Sequence, residues 1–208
     1  VLFGAQVSLI AGIASVIMGV TIGGSIGALA GGVGGKLDAV LMRFVDAMLA
    51  VPGILLAIGI VAFFGCGLPQ LLCAGAVVNV PIFARILRGS LLSLREPDYG
   101  TAARSIGATG PRVLVRHMLP NSLSPLIVAA TLALATAIID VAGLGFLGLG
   151  PPDPRTPEWG TMLTDATKFI RQAPWLLFFP GAAIVISAIG FNLLGDGLRE
   201  SLDPRMRR

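Results

Sequence analysis

Few side chains in this sequence of 208 residues have the types that make and break bonds, and none is arranged for it. Cys66 and Cys73 are the two cysteines and His117 the single histidine, too few for a disulfide framework or a Cys/His metal set of the usual spacing, so no metal site is expected. The run Gly31-Gly32-Val33-Gly34-Gly35-Lys36 looks like a phosphate loop by eye. Ala30 stands where its first glycine belongs, however, and Leu37 where a Ser or Thr should reach the metal. It reads as a helix-breaking turn. Gly143-Leu144-Gly145-Phe146-Leu147-Gly148 satisfies GxGxxG, yet no strand precedes it and Pro151-Pro152 follow, so it lacks the setting of a dinucleotide site. The chain is therefore expected to bind no cofactor of its own, and any ATP-driven work belongs to another polypeptide.

Two acids, Asp46 and Asp140, fall inside apolar stretches, where a carboxylate is costly enough to be a functional candidate by default. Arg43 lies three residues before Asp46 on the same helix face and is expected to pair with it while snorkelling to the membrane surface. Asp140 reads as an interfacial or capping acid near a span's outer end. A transporter driven by protons or sodium would need one of these two, and this is the rival reading. An intramembrane hydrolase would need a Ser/His or paired-Asp arrangement within the spans. With His117 at a membrane edge and the two acids near opposite faces, no catalytic residue is expected.

The elements that carry these residues follow from composition. Hydrophobic residues make up 55% and charged residues 12% of the chain, against roughly 25% charged in soluble domains, and the mean hydropathy is +0.88. A soluble fold and intrinsic disorder are both excluded; what remains is an all-α integral membrane protein, here one transmembrane domain over residues 1–208. Charge-free stretches and turn signals place five spans near residues 3–30, 39–64, 69–90, 122–144 and 174–195. The formal charge of +4 is concentrated. Arg85, Arg88, Arg95, Arg104, Arg112 and Arg116 face only Glu96 and Asp98, and the tail ends Arg205-Met206-Arg207-Arg208. Excess Lys and Arg mark cytoplasmic segments of a membrane chain, so residues 91–120 and 196–208 are placed inside and no nucleic-acid partner is inferred. The balanced loop 145–173 is placed outside, with Trp159 and Trp175 as interface anchors. An odd span count without an initiator Met points to at least one further N-terminal helix.

Gly19, Gly23, Gly27, Gly31 and Gly35 recur every four residues, making a smooth face where another backbone can come close. Whether that backbone belongs to this chain or to a second subunit is open. In the basic segment, Glu96-Pro97-Asp98-Tyr99 reads as a helix start with acids at the positive dipole end, and Gly107 as its stop. A second short helix is expected from Thr109-Gly110-Pro111 to Pro120. Two short helices at a glycine bend would form a knob of small residues with surrounding arginines, suited to a groove on a soluble partner.

That segment resembles the EAA loop of ABC importer permeases, in the run Tyr99-Gly100-Thr101-Ala102-Ala103-Arg104-Ser105-Ile106-Gly107 and then His117-Met118-Leu119-Pro120-Asn121. Thr101 replaces the usual Glu, and His117 with Asn121 is similar to the C-type permeases of dipeptide and oligopeptide importers. The resemblance extends over nearly the whole chain through Asp38, Arg43, Asp46 and Pro52, Phe146 to Gly150, Trp159-Gly160, and Asn192 to Arg199 with Leu202-Asp203-Pro204-Arg205. Val141 stands where that family often has Glu, with Asp140 beside it. The resemblance implies a six-helix permease subunit, five of whose helices are visible here, in the cytoplasmic (inner) membrane. It implies a homologous B-type permease, two ATPase subunits holding ATP and Mg, and an extracytoplasmic peptide-binding protein as partners. Glu96, Tyr99, Ala102, Ala103, Arg104, Gly107, His117, Leu119, Pro120 and Asn121 would be the ATPase-coupling residues. Gly107 would dock in the ATPase groove, and the cargo would be a short peptide.

Overall fold

The computed structural model describes residues 1–94, 110–153 and 155–202. Within them the chain is a bundle built around α1 (Leu2–Val33), a helix whose 32 residues reach about 48 Å at the standard rise. Gly34 and Gly35, at φ 75° and 64°, end it, because only glycine takes consecutive left-handed conformations without strain. The chain then turns back as α2 (Gly35–Leu49) and α3 (Gly53–Phe64), and returns as α4 (Leu68–Ser93). Beyond the undescribed residues come α5 (Gly110–Val113), a wide π turn at Leu114–Met118, α6 (Leu119–Leu144) and a second π turn at Gly145–Leu149. A short α7 (Trp159–Thr167) precedes the last span, α8 (Trp175–Leu202).

Among the described residues four helices are long and apolar enough to cross a membrane, and five if α2 and α3 together make one span. Those two meet at 88°, so the single helix expected over 39–64 is an elbow. Pro52 explains it: proline cannot donate to the ladder and biases the residue before it toward extended backbone. The remaining limits differ by a few residues, except that α8 continues to Leu202, seven residues beyond 195. Segment 145–173, expected as an outer loop, contains the second π turn and α7.

The second short helix does not end at Pro120. It runs on into α6, because the proline sits in the first turn of α6 and the ladder widens just before it, with the Leu119 N–H donating to Leu114 O. An i→i+5 register gives the carbonyls around a donorless proline alternative partners.

The glycine strip lies against α4 of the same chain. A Cβ on Gly19 would come within 2.8 Å of the Asn79 Cβ and one on Gly31 within 3.0 Å of the Leu91 Cβ, while Gly23 and Gly27 meet the Val80 and Ala84 carbonyl oxygens. Gly35 lies past the helix break with nothing around it, so it is not part of the strip. The pairings rise together in number, so α1 and α4 run parallel; α6 runs antiparallel to both, with Gly12 against Ile138 and Gly32 against Leu114. Phe83, Leu87, Leu91, Val113 and Leu126 fill one buried cluster at one end of this three-helix unit, and Ala11, Val61, Leu71, Val141 and Leu144 fill another toward the opposite end.

Candidate functional site

At the end of the bundle where α1 stops, two acids of α2 meet two arginines of α4. Asp38 accepts from Arg88 through both oxygens, Oδ1 from Nε at 2.5 Å and Oδ2 from Nη2 at 2.7 Å. Asp46 Oδ1 accepts from Arg85 Nη2 at 2.6 Å. The partner of Asp46 is thus Arg85 and not Arg43, as the intrahelical spacing had suggested. An i,i+3 pair on an exposed helix contributes only about 0.2–0.5 kcal/mol, and the facing helix offers a competing guanidinium. The two pairs differ in setting: the Asp38 and Arg88 side chains are 16% and 32% exposed, those of Asp46 and Arg85 52% and 55%.

These pairs carry much of the attachment of α2, because Val45 is the one residue of that helix fully buried. Val40, Arg43, Phe44, Asp46 and Ala47 of the same helix border an open hollow of about 770 Å³. A hollow lined by Arg43 is unsuited to lipid; it fits a water-filled space or another protein surface.

The sequence also pointed to residues at this end that lead toward the undescribed segment. Glu96, Tyr99, Ala102, Ala103, Arg104 and Gly107 lie outside the described residues. His117 sits in the π turn, and its carbonyl accepts from Asn121 Nδ2 at 2.9 Å. Leu119 is half-buried against the Phe83 cluster, while Pro120 and Asn121 are exposed. A segment anchored by Leu119 and Met118 on its inner side thus presents Pro120 and Asn121 outward, in continuity with the residues expected to meet the ATPase.

The opposite end is held quite differently, by a knot that sequence reading missed. Glu158 is fully buried. Its carboxylate caps α7, accepting from Gly160 N at 2.8 Å and Thr161 N at 3.0 Å, and takes a third bond from Ser8 Oγ of α1 at 3.3 Å. Ser8 Oγ in turn accepts from Trp159 N at 2.9 Å, and Trp159 Nε1 donates to Val1 O at 3.1 Å. Trp159 is only 2% exposed, so it is a packing residue against Gly4 and not an interface anchor; the Trp175 side chain is exposed. Burial pushes the Glu158 carboxyl above the usual range, against the pull of the two backbone N–H groups and the serine hydroxyl. The one signal in sequence was an acid after Pro157 and before a short helical run, and Glu is not among the preferred capping residues.

Asp140 lies in α6 and borders a small cavity with Gly53, Ile54, Ala57, Gly75, Val78 and Leu144. Neighbouring Val141 faces the other way, fully buried among Ala11, Leu71 and Ala74. Asp46 and Asp140 therefore occupy separate places, one at the basic end beside α4 and one facing the start of α3.

Comparison with known proteins decides what this bundle is. The model for the binding-protein-dependent transport system inner membrane component matches residues 23–208. The chain belongs to that family. It is 48% identical, over all of its length and 68% of the relative's, to the dipeptide transport system permease protein DppC of Alkalihalophilus pseudofirmus. It is 44% identical, with the same coverage, to the glutathione transport system permease protein GsiD of Pectobacterium atrosepticum. A chain from inward-facing crystal structures of the MetNI methionine ABC transporter superposes at a TM-score of 0.79, covering 96% of this chain and 94% of that one at 22% identity. This permease subunit is thus an inner-membrane component of an ABC importer, with the all-α transmembrane fold of that class. The Glu158 knot, the glycine seam and the α2–α4 ion pairs are the features that hold its helices in that arrangement.

Proposed function

We propose that the chain forms half of the membrane pathway of an ATP-driven importer of di- or oligopeptides. It pairs with a homologous B-type permease and rests on two ATPase subunits, which hold the ATP and Mg that this chain has no loop to bind. The observation that carries the reading is the 48% identity to a dipeptide permease along the entire chain. The sequence of residues 95–121 supports a docking role, with small residues around Gly107 for close approach and arginines for complementarity to the ATPase groove. An extracytoplasmic binding protein delivers the peptide to the end carrying α7. ATP-driven closure of the ATPases then biases a two-state movement of the helices, and α2 is the element best placed to move because its hold on the bundle is polar and sparse.

The test is purification of the complete transporter in mild detergent, with and without Gly107→Asp. Recovery of a second permease and ATPases with the unaltered chain, and loss of the ATPases from the variant, is the expected outcome, together with peptide uptake reduced by about 100-fold or more. Recovery of the unaltered chain alone or as a homodimer, or a variant that retains its ATPases and transports normally, refutes the reading.

A further inference from the structure

We propose that the groove between the foot of α6 and the last turn of α8 binds an anionic phospholipid of the cytoplasmic leaflet, with an acyl chain along its walls and the phosphate at Arg199. The groove exists because these two antiparallel helices meet and then part. Gly195 of α8 lies so close to Leu132 of α6 that a Cβ there would come within 2.6 Å of the leucine side chain and 3.3 Å of its backbone nitrogen. Past that contact α8 carries Arg199 and Leu202, α6 presents Val128, Pro125 and Ser124, and a space of about 390 Å³ opens between them.

The walls select the occupant. Val128, Ala129, Leu132 and Leu202 are apolar, and among the described residues Arg199 is the one charged residue that borders the space, with the Ser124 hydroxyl as a second donor. The groove therefore has a net positive sign, whereas the hollow beside α2 sets Arg43 against Asp46 and has none of its own. It lies at the end of the bundle that holds Lys36, Arg85, Arg88, Arg112 and Arg116, and an excess of Lys and Arg marks the cytoplasmic side. The anionic lipids of that leaflet attract basic residues, and basic pockets between spanning helices hold their headgroups. From the last turn of α8 the arginine reaches the headgroup layer while its stem stays on apolar surface. Its guanidinium then bonds phosphate oxygens with full charge assistance. α8 is the least buried of the described spans, so lipid has access to the groove. A partner helix, about 10–12 Å across with its side chains, cannot follow the groove to where α8 and α6 converge at Gly195, but one acyl chain can. Leu119 and Pro120 begin α6 just before the groove, so a lipid held there braces α8 against the part of α6 that leads from the segment expected to meet the ATPase.

The test uses the complex in which this chain purifies, freed of bound lipid in detergent and titrated with phosphatidylglycerol or with phosphatidylcholine of the same acyl chains. Native mass spectrometry counts the lipids retained. The unaltered protein is expected to hold one phosphatidylglycerol that Arg199→Gln binds about five- to tenfold more weakly, while phosphatidylcholine binding is the same for both. Arg199 is exposed, so the glutamine is expected to leave folding unchanged. Arg199→Lys keeps the charge and is expected to restore most of the difference. Val128→Trp fills the groove and keeps the arginine, and it too is expected to lose that lipid. Equal phosphatidylglycerol binding by the unaltered protein and Arg199→Gln overturns the proposal. So does full retention by Val128→Trp, which would leave Arg199 a surface charge without a groove. Loss of another permease from the complex in Arg199→Gln also overturns it, by making the groove a protein interface. None of these outcomes depends on the cargo, so failure here is distinct from failure of the peptide-importer reading.

Discussion

The two ends of this bundle are fastened by opposite means. At the end bearing α7, a carboxyl is buried completely, satisfied by two backbone N–H groups and a serine hydroxyl, and locked under a tryptophan. At the other end α2 is tied to α4 by two ion pairs, one of them more than half exposed, with a single fully buried residue beneath the helix. Buried hydrogen-bonded networks rigidify, because each member left alone bears a full desolvation cost. Exposed ion pairs are worth little and exchange partners readily. The importer proposed above, which holds the α7 end steady for a binding protein and lets α2 shift, is served by this division.

The comparison presupposes the seam that joins both ends, and breaking the seam has the largest effect. Gly27→Val drives a side chain into the backbone carbonyl of Ala84, where nothing flexible can yield. We expect a loss of about 3 kcal/mol, enough to prevent recovery of folded protein, measured as monodisperse yield in detergent. Gly190→Ala, placed where an added methyl meets open space, is expected to change that yield little.

Next comes the knot. Glu158→Ala removes the cap of α7 and leaves two N–H groups and Ser8 short of an acceptor, at an expected cost of about 2–3 kcal/mol confined to that end. Hydrogen exchange should show lost protection in residues 1–8 and 159–167 while α2 and α4 are unaltered. Protection lost equally at both ends would show that they are not independent.

The ion pairs give the smaller effects and rank themselves by exposure. Asp38→Asn breaks a bidentate, partly buried contact with Arg88 and should loosen α2 by about 1–2 kcal/mol, whereas Asp46→Asn, at an exposed pair, should cost under about 1 kcal/mol. Exchange protection of α2 amides measures both. Equal losses would mean that exposure does not set the strength of this clamp.

The sequence made the spans legible because apolar length is a local signal, whereas the expected coupling run Tyr99 to Gly107 lies outside the described residues. Features made between distant residues were hidden. Arg85 and Asp46 are 39 positions apart and Ser8 and Glu158 are 150 apart, so no spacing rule could join them. Arg43 beside Asp46 was the local solution, and it lost to a partner on another helix. The elbow was half legible: Pro52 was noted as part of a pattern, but its effect on the helix was outweighed by the continuous apolar run that follows. The glycine strip announced a close contact without naming the helix that makes it.

The smallest effect concerns Glu158 alone and sharpens the contrast between the ends. Burial raises its carboxyl above the ordinary value, so the folded state holds a proton that the unfolded segment releases. Stability from this group is therefore fully present at pH below the unfolded glutamate value of about 4.3 and declines as pH rises through the higher folded value. Protection of α7 amides, corrected for intrinsic exchange, should accordingly fall slightly as pH increases across that window. Glu158→Gln, which keeps one acceptor oxygen and cannot titrate, should remove the slope, and the amides of α2 should not share it. A slope of the opposite sign would mean that the three donors outweigh burial and that the carboxylate is held charged. The knot would then resemble the ion pairs at the other end more closely than its geometry indicates.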